Sequence, residues 1–228
     1  MSRRRGRAVG LGALGAVAAC AVWMAVSPDQ SSLAILLIAG ALVVAGGAWL
    51  ETGPDSAKEL AGIATLAGVA AAGRVLFAGI PGVQPLTVIA VAGGVALGLR
   101  AGFAVGAVAA FVSNLFLPEG PWTLWQMLLW GGCGAVGALA APLLRRRIPF
   151  AVVCCVLGFS FSALMDVWEW WAFYPHTWQA FVARHAAGVW FDVAHAAGNL
   201  VIALAVGPEL RRLLERFGRR LHTEVVWA

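Results

Sequence analysis

Long apolar stretches separated by short polar turns constrain this chain more than any other feature. Each stretch approaches the roughly 20 apolar residues that a membrane-spanning helix needs. Charged residues make up only 12% of the sequence, whereas soluble domains carry about 25%. The pattern therefore predicts an all-α, polytopic membrane protein with eight transmembrane helices and excludes a soluble globular domain. The apolar stretches lie at residues 8–26, 33–50, 60–79, 86–99, 101–117, 122–144, 148–173 and 190–210.

The first two stretches are set apart from the rest by the polar linker at residues 51–55. They are predicted to form a helical hairpin that follows a basic head, and both belong to a segment at residues 1–55. Ser56 and Glu59 are three positions apart, as in a capping box that starts the next helix. Residues 56–220 are then predicted to form a six-helix membrane core, and residues 221–228 a short tail.

The basic residues predict the orientation of this arrangement. With the N-terminus in the cytoplasm, all sixteen lysines and arginines except Arg74 and Arg184 lie at the cytoplasmic side. Cytoplasmic segments of membrane proteins carry an excess of such residues. We therefore predict a multi-pass protein of the cell membrane with both termini in the cytoplasm. Because the basic residues form short blocks beside apolar stretches, they do not indicate nucleic-acid binding.

The four cysteines, Cys20, Cys133, Cys154 and Cys155, all lie inside apolar stretches. Two neighbouring cysteines on one helix have poor geometry for a disulfide, so we interpret the four as small packing residues. Residues 17–20 also resemble a lipoprotein processing site after a basic start. That interpretation stays open as an alternative.

Residues 113–131 join two apolar stretches through a turn that contains Pro118 and Pro121. Proline at these positions prevents a helix from continuing. Trp122 and Trp125 follow directly, and tryptophan prefers a membrane–water interface, where one side is apolar and one edge is hydrated. The turn is typical either of the lip of a binding cup or of an aromatic belt at the membrane surface.

Polar and charged side chains in and beside the later apolar stretches all lie toward the predicted outer leaflet. Such residues are costly in lipid and are commonly functional. They predict an outward-facing pocket that binds a small molecule. The candidate substrate-binding residues are Arg74, Gln84, Asn114, Trp122, Trp125, Gln126, Asp166, Glu169, Asp192, His195 and Asn199.

Other interpretations of these residues stay open. Arg74 could pair with Asp166 or Glu169 and only hold helices together. Asp192, His195 and Glu169 could hold a metal ion, or could serve a membrane-embedded enzyme if a carboxylate and an imidazole meet. The tryptophans alone would suit a non-transporting anchor or assembly protein. The chain has no Walker motif and is predicted to hydrolyse no ATP itself. We predict no catalytic residue, no metal and no cofactor.

The third apolar stretch carries small residues at three- and four-residue spacing. Small-xxx-small faces let membrane helices approach closely, which predicts a docking face for a separate subunit. The candidate docking residues are Ala61, Ala64, Gly68 and Ala72.

From Lys58 onward the chain resembles the substrate-specific S components of energy-coupling factor (ECF) vitamin transporters. The run Gly-Pro-Trp-Thr-Leu-Trp-Gln-Met is the most specific part of the likeness and is most similar to cobalamin-type S components. The residues that carry the resemblance lie at 58–61, 73–77, 80–85, 98–103, 113–114, 120–127 and 192–199.

The resemblance implies a cup of six helices whose loops close over a vitamin from outside. Those loops correspond to residues 78–85, 117–125 and 174–190 of this chain. It also implies that the small-residue face meets a transmembrane T subunit, which is joined to two ATPase subunits. The function expected from the resemblance is capture of a vitamin-like compound, with a corrinoid as the favoured substrate. The extra hairpin at residues 8–50 departs from the family pattern.

Overall fold

The computed structural model describes residues 31–50 and 57–221, together with scattered positions between residues 8 and 23. Every regular element in these ranges is a helix, which confirms the all-α prediction. Most of the first apolar stretch, the linker with Ser56, and the tail beyond Leu221 lie outside the described residues. The helices are α1 (Ser31–Leu50), α2 (Ala57–Leu76), α3 (Leu86–Leu97), α4 (Leu99–Asn114), α5 (Trp122–Leu139), α6 (Ala141–Leu144), α7 (Arg147–Phe173) and α8 (Trp178–Leu221).

Three of the described helices are long and apolar enough to cross a membrane. The qualifying segments are Lys58–Leu76, Arg147–Phe173 and Trp178–Arg219. Large apolar side chains point away from the bundle on several helices; Leu139 and Val201, for example, are more than half exposed. Apolar surface of this kind suits contact with lipid. Length, composition and surface therefore all indicate a protein that associates with a membrane.

Helix α3 forms the centre of the bundle. Its residues from Leu86 to Gly94 are buried without interruption, because α2, α4, α5, α7 and α8 all pack around it. A helix that is apolar on every side needs such an environment. Helix α1 packs against α4, α5 and α7, so this helix of the predicted accessory hairpin is attached to the core.

Glycines bring the backbones of α3, α4 and α5 into direct contact. A Cβ atom on Gly102 would collide with the backbone of Gly94, and one on Gly134 would collide with the carbonyl of Gly102. Gly106 and Gly137 make similar backbone contacts with α5 and α3. Close backbone approach increases van der Waals packing, which is the main attraction between helices in lipid. These three helices therefore form a tightly packed unit.

The prediction of a loop at residues 174–189 is wrong. Helix α8 begins at Trp178, and only residues 174–177 connect it to α7. The hydroxyl of Thr177 accepts a hydrogen bond of 3.2 Å from the amide of Ala180, which is the contact of a helix N-cap. Residues 178–189 are rich in alanine and contain no proline. Their aromatic side chains suggested a loop, but helix propensity and the Thr177 cap favour a helix.

Helix α8 also continues beyond its predicted end at Leu210. It includes Pro208 and runs to Leu221, a total of 44 residues. At 1.5 Å per residue its length is about 66 Å, whereas the hydrocarbon core of a bilayer is about 30 Å thick. Helix α8 is therefore much longer than the apolar layer is thick, and it includes the basic residues Arg211, Arg212, Arg216 and Arg219.

Other predicted stretches end earlier than expected at glycine or proline. Helix α2 ends at Leu76, before the turn at residues 77–85. Helix α3 ends at Leu97 because Gly98 adopts a positive φ of 90°. The predicted helix at 122–144 divides into α5 and α6 near Pro142. The short connections at residues 77–85, 115–121 and 174–177 reverse the chain at one end of the bundle, which we call the loop end.

Candidate ligand-binding site

Arg74 lies near the end of α2 with only 7% of its surface exposed. Its Nη1 atom donates hydrogen bonds to Ser113 Oγ, at 2.6 Å, and to Asn114 Oδ1. Its Nε atom donates to Gln84 Oε1 at 3.3 Å. The guanidinium carbon lies 4.8 Å from the centre of the Trp130 ring, within range of a cation–π interaction. The described partners of this buried cation are therefore all neutral.

The network continues from Asn114 into α5. The Asn114 Nδ2 atom donates to Thr123 Oγ1 and to Gln126 Oε1, both at 2.8 Å. One turn further along α5, Trp130 Nε1 donates to Thr87 Oγ1 at 3.0 Å. These bonds join α2, α3, α4 and α5 at the loop end. Four of the predicted binding residues thus belong to one hydrogen-bonded network.

Aromatic contacts connect this network to α7 and α8. The ring of Trp130 stacks on Phe161 with their centres 4.0 Å apart, and Phe161 lies 5.6 Å from the His195 ring. The Nδ1 atom of His195 is 2.7 Å from the carbonyl oxygen of Gly82, which can only accept a hydrogen bond. Asn199 Nδ2 donates to the backbone oxygen of His195 at 2.9 Å. His195 therefore anchors α8 to the turn at residues 77–85, whereas the Asn199 bond lies within α8.

Gly82 is required at its position for two reasons. Its φ of 75° lies in the region that glycine tolerates best. A Cβ atom there would approach the backbone nitrogen of His195 to 2.7 Å. The turn therefore packs directly on α8, and the Gly82 carbonyl reaches the imidazole.

The predicted carboxylates pair with Arg184 and not with Arg74. Arg184 Nη2 lies 2.7 Å from Asp166 Oδ1 and 2.7 Å from Glu169 Oε2. The interpretation that Arg74 pairs with Asp166 or Glu169 is therefore wrong. Arg184 was assigned to an outer loop by its sequence position, but it belongs to α8 and faces α7. Asp192 is also buried, at 3% exposure.

The structure does not bring Asp192, His195 and Glu169 together as one metal-binding group. Within the described ranges, no group of three or more His, Cys, Asp or Glu residues is placed to hold a metal ion. Glu169 is bound to Arg184, while His195 is bound to the Gly82 carbonyl. Glu169 and His195 are therefore directed to different partners.

The tryptophans of the connecting turn lie beside the hydrogen-bonded network. Trp122 and Trp125 are partly buried at the start of α5. The Trp122 ring lies against Gly120. The indole nitrogen of Trp125 is buried, and none of the described residues accepts a hydrogen bond from it. Trp125 therefore has one donor free for a ligand.

The small-residue row of α2 is exposed along its whole length. On the opposite side of α2, Ala67, Ala70 and Ala71 are buried against the core. The two rows therefore divide α2 into an inner face and a face that the described residues leave uncovered. The exposed row consists of Ala61, Ala64, Gly68 and Ala72.

Several residues of the site were not predicted as binding residues from the sequence. Thr87 is the only polar residue in α3, which could have marked it as a buried hydrogen-bond partner. Trp130 follows Gln126 by four residues, so the two share one helix face. Phe161 and Arg184 had no local signal, because their roles depend on how α7 packs against α5 and α8.

No curated protein and no solved structure matches this chain. A family model described as a family of unknown function, DUF6580, matches residues 55–209. The match covers more than half of the chain and includes α2 to α7 and most of α8. The chain therefore belongs to the DUF6580 family.

Proposed function

We propose that this protein is the substrate-binding membrane subunit of an ATP-driven importer of the ECF type. It captures a vitamin-like small molecule at the loop end and performs no chemistry on it. The observation that carries the proposal is a polar and aromatic network at the loop end of a helical bundle in which the described residues leave one face of α2 uncovered. The ATPase activity belongs to partner subunits, since the chain has no nucleotide-binding motif.

The loop end offers the groups that recognise a polar ligand with an aromatic body. Arg74 is a buried cation whose described partners are neutral, and charged groups inside membrane proteins commonly mark ligand paths. Asn114 and Gln126 supply amides, which fix the orientation of a bound molecule. Trp122 and Trp125 supply flat apolar area at little cost in side-chain entropy. A corrinoid is the first compound to test because its polycyclic body and amide side groups match these features.

The uncovered face of α2 supports docking to a T subunit that is joined to two ATPase subunits. Ala61, Ala64, Gly68 and Ala72 are all exposed, and small side chains permit close approach of a second helix in lipid. Helix α1 packs on the other side of the core, against α4, α5 and α7. The accessory helix therefore leaves the docking face free.

We also propose eight membrane-spanning helices with both termini in the cytoplasm and the loop end outside. Basic residues support this orientation, because they concentrate at the end of the bundle opposite the loop end. Topology reporters fused after Leu221 and inserted at Glu119 are expected to report opposite sides of the membrane. If both report the same side, the proposed topology is incorrect.

Two substitutions are expected to separate docking from ligand binding. Ala64→Trp places a large side chain on the α2 face and should abolish co-purification of the T and ATPase subunits. Trp125→Ala should instead weaken binding of the co-purified ligand by about 2 kcal/mol, or roughly 30-fold in Kd. Each variant should retain the property that the other loses. Ligand affinity is measured by tryptophan fluorescence after the bound compound has been identified by mass spectrometry.

Val201→Trp provides the matched control for the docking variant. Val201 is 64% exposed on α8, so its replacement adds a tryptophan to a different surface and should leave the complex intact. If Ala64→Trp still co-purifies with the partner subunits, the docking assignment is incorrect. If Trp125→Ala binds as tightly as the parent, the tryptophans only anchor the protein in the membrane.

A further inference from the structure

Four buried oxygen atoms in the interface between α7 and α8 receive no hydrogen bond from the described part of the protein. They are Ser162 Oγ and Asp166 Oδ2 on α7, and Asp192 Oδ1 and Asn199 Oδ1 on α8. All four residues are at least 95% buried. Buried polar atoms without partners are costly, so several of them in one interface indicate a bound group that supplies positive charge or donors.

Glycine contacts show how these residues face one another. A Cβ atom on Gly188 of α8 would collide with the Asp166 carboxylate. A Cβ atom on Gly158 of α7 would lie 2.6 Å from the Asn199 amide nitrogen. Ser162 is four residues from both Gly158 and Asp166, so it shares their face of α7. The oxygen atoms therefore form one row along the interface.

Asp192 lies beside Asp166 in this row. It is four residues after Gly188 and therefore one helical turn from the point where Asp166 contacts α8. Two like charges at this separation repel each other across the helix interface.

The balance of charge in the interface is negative. The Arg184 guanidinium is shared by Asp166 and Glu169, and the Glu169 side chain is 38% exposed. The buried set of two aspartates, Asp166 and Asp192, and one arginine, Arg184, carries one net negative charge. An uncompensated carboxylate inside a membrane helix pair is strongly unfavourable. One positive charge would neutralise the set.

We propose that this interface binds one sodium ion between Asp166 and Asp192, with the Ser162 hydroxyl as a third ligand. Hard cations prefer carboxylate and hydroxyl oxygens. A single positive charge matches the net charge of the buried set. A small ion suits this interface, because Asp166 packs directly against Gly188. The site is independent of the proposed transport function and joins α7 to α8.

The test uses the full chain in detergent, with NaCl replacing choline chloride at constant ionic strength. Sodium should raise the melting temperature along a saturable curve, by about 5–10 °C at one hundred times the dissociation constant. Asp192→Asn should abolish the sodium dependence, because it removes the unpaired charge while keeping the side-chain shape. Isothermal titration calorimetry with NaCl should show that each chain of the parent protein binds one sodium ion.

Two further variants make the result specific. Ser162→Ala should keep the response but raise the half-saturating sodium concentration several-fold. Glu209→Gln removes a carboxylate of which 64% is exposed, at the other end of α8, and should respond like the parent. A melting temperature that does not change with sodium overturns the proposal, as does an unchanged response in Asp192→Asn. If the melting temperature depends on pH but not on the sodium concentration, the two carboxylates share a proton and bind no cation.

Discussion

Replacing Gly134 with alanine is expected to prevent the close packing of α4 against α5, whereas the same change at Gly132 should not. A Cβ atom at Gly134 would collide with the carbonyl oxygen and carbon of Gly102. Backbone atoms cannot move aside as a flexible side chain can, so α4 and α5 would have to separate. We expect a loss of about 3 kcal/mol or more in the free energy of unfolding.

Gly132 is the matched control on the same helix, because apart from the adjoining helix backbone no atom of the described residues lies within 4 Å of a Cβ atom placed there. Alanine has a higher helix propensity than glycine by about 1 kcal/mol, so Gly132→Ala should be neutral or slightly stabilising. The measurement is thermal unfolding of both variants in detergent, followed by circular dichroism. Equal melting temperatures would show that the glycine contacts do not hold α4 and α5 together.

Trp130→Ala is expected to be the most destabilising side-chain truncation at the site. Trp130 has no exposed surface, stacks on Phe161 and donates a hydrogen bond to Thr87. Truncation would remove all of these contacts and the ring beneath Arg74, and would leave a cavity in the centre of the bundle. Removal of a buried tryptophan typically costs about 3–5 kcal/mol, and we expect a value in the upper half of that range.

Trp190→Ala is the control for this change, because Trp190 is 81% exposed on α8. Its replacement should alter the melting temperature little. The melting temperature of Trp130→Phe should fall between those of Trp130→Ala and Trp190→Ala. Phenylalanine keeps the stacking on Phe161 but cannot donate a hydrogen bond to Thr87. Thermal unfolding of all three variants in the same detergent tests the order. The assignment fails if Trp130→Ala melts at the same temperature as Trp190→Ala.

Much of the helical framework could be predicted from local sequence. Leu86 to Leu97 is apolar except for Thr87, and its position between Pro85 and Gly98 marks both ends of α3. Pro121 likewise marks the start of α5. The reason is that proline and glycine act on the backbone of their own segment. Predictions of this kind do not depend on which other helices are nearby.

The structure brings only some of the predicted binding residues into contact with one another. Arg74, Gln84, Asn114 and Gln126 do meet, because each lies near a helix end that the turn signals place at the loop end. Asp166 and Glu169 lie at the same end but bind Arg184. A charge pattern indicates the depth of a residue in the membrane. It does not indicate which of several helices faces it.

The amino-acid sequence by itself determined the all-helical class, the membrane association and most turns, since hydropathy and backbone restrictions are properties of each segment. Only the tertiary structure decided which side chains become partners. The Gly134–Gly102 contact joins two helices by their backbones, and the bond between His195 and Gly82 spans 113 residues. The long α8 brought Arg184 out of a predicted loop and onto α7. These contacts depend on helix rotation and packing, which are set by all neighbouring helices at once.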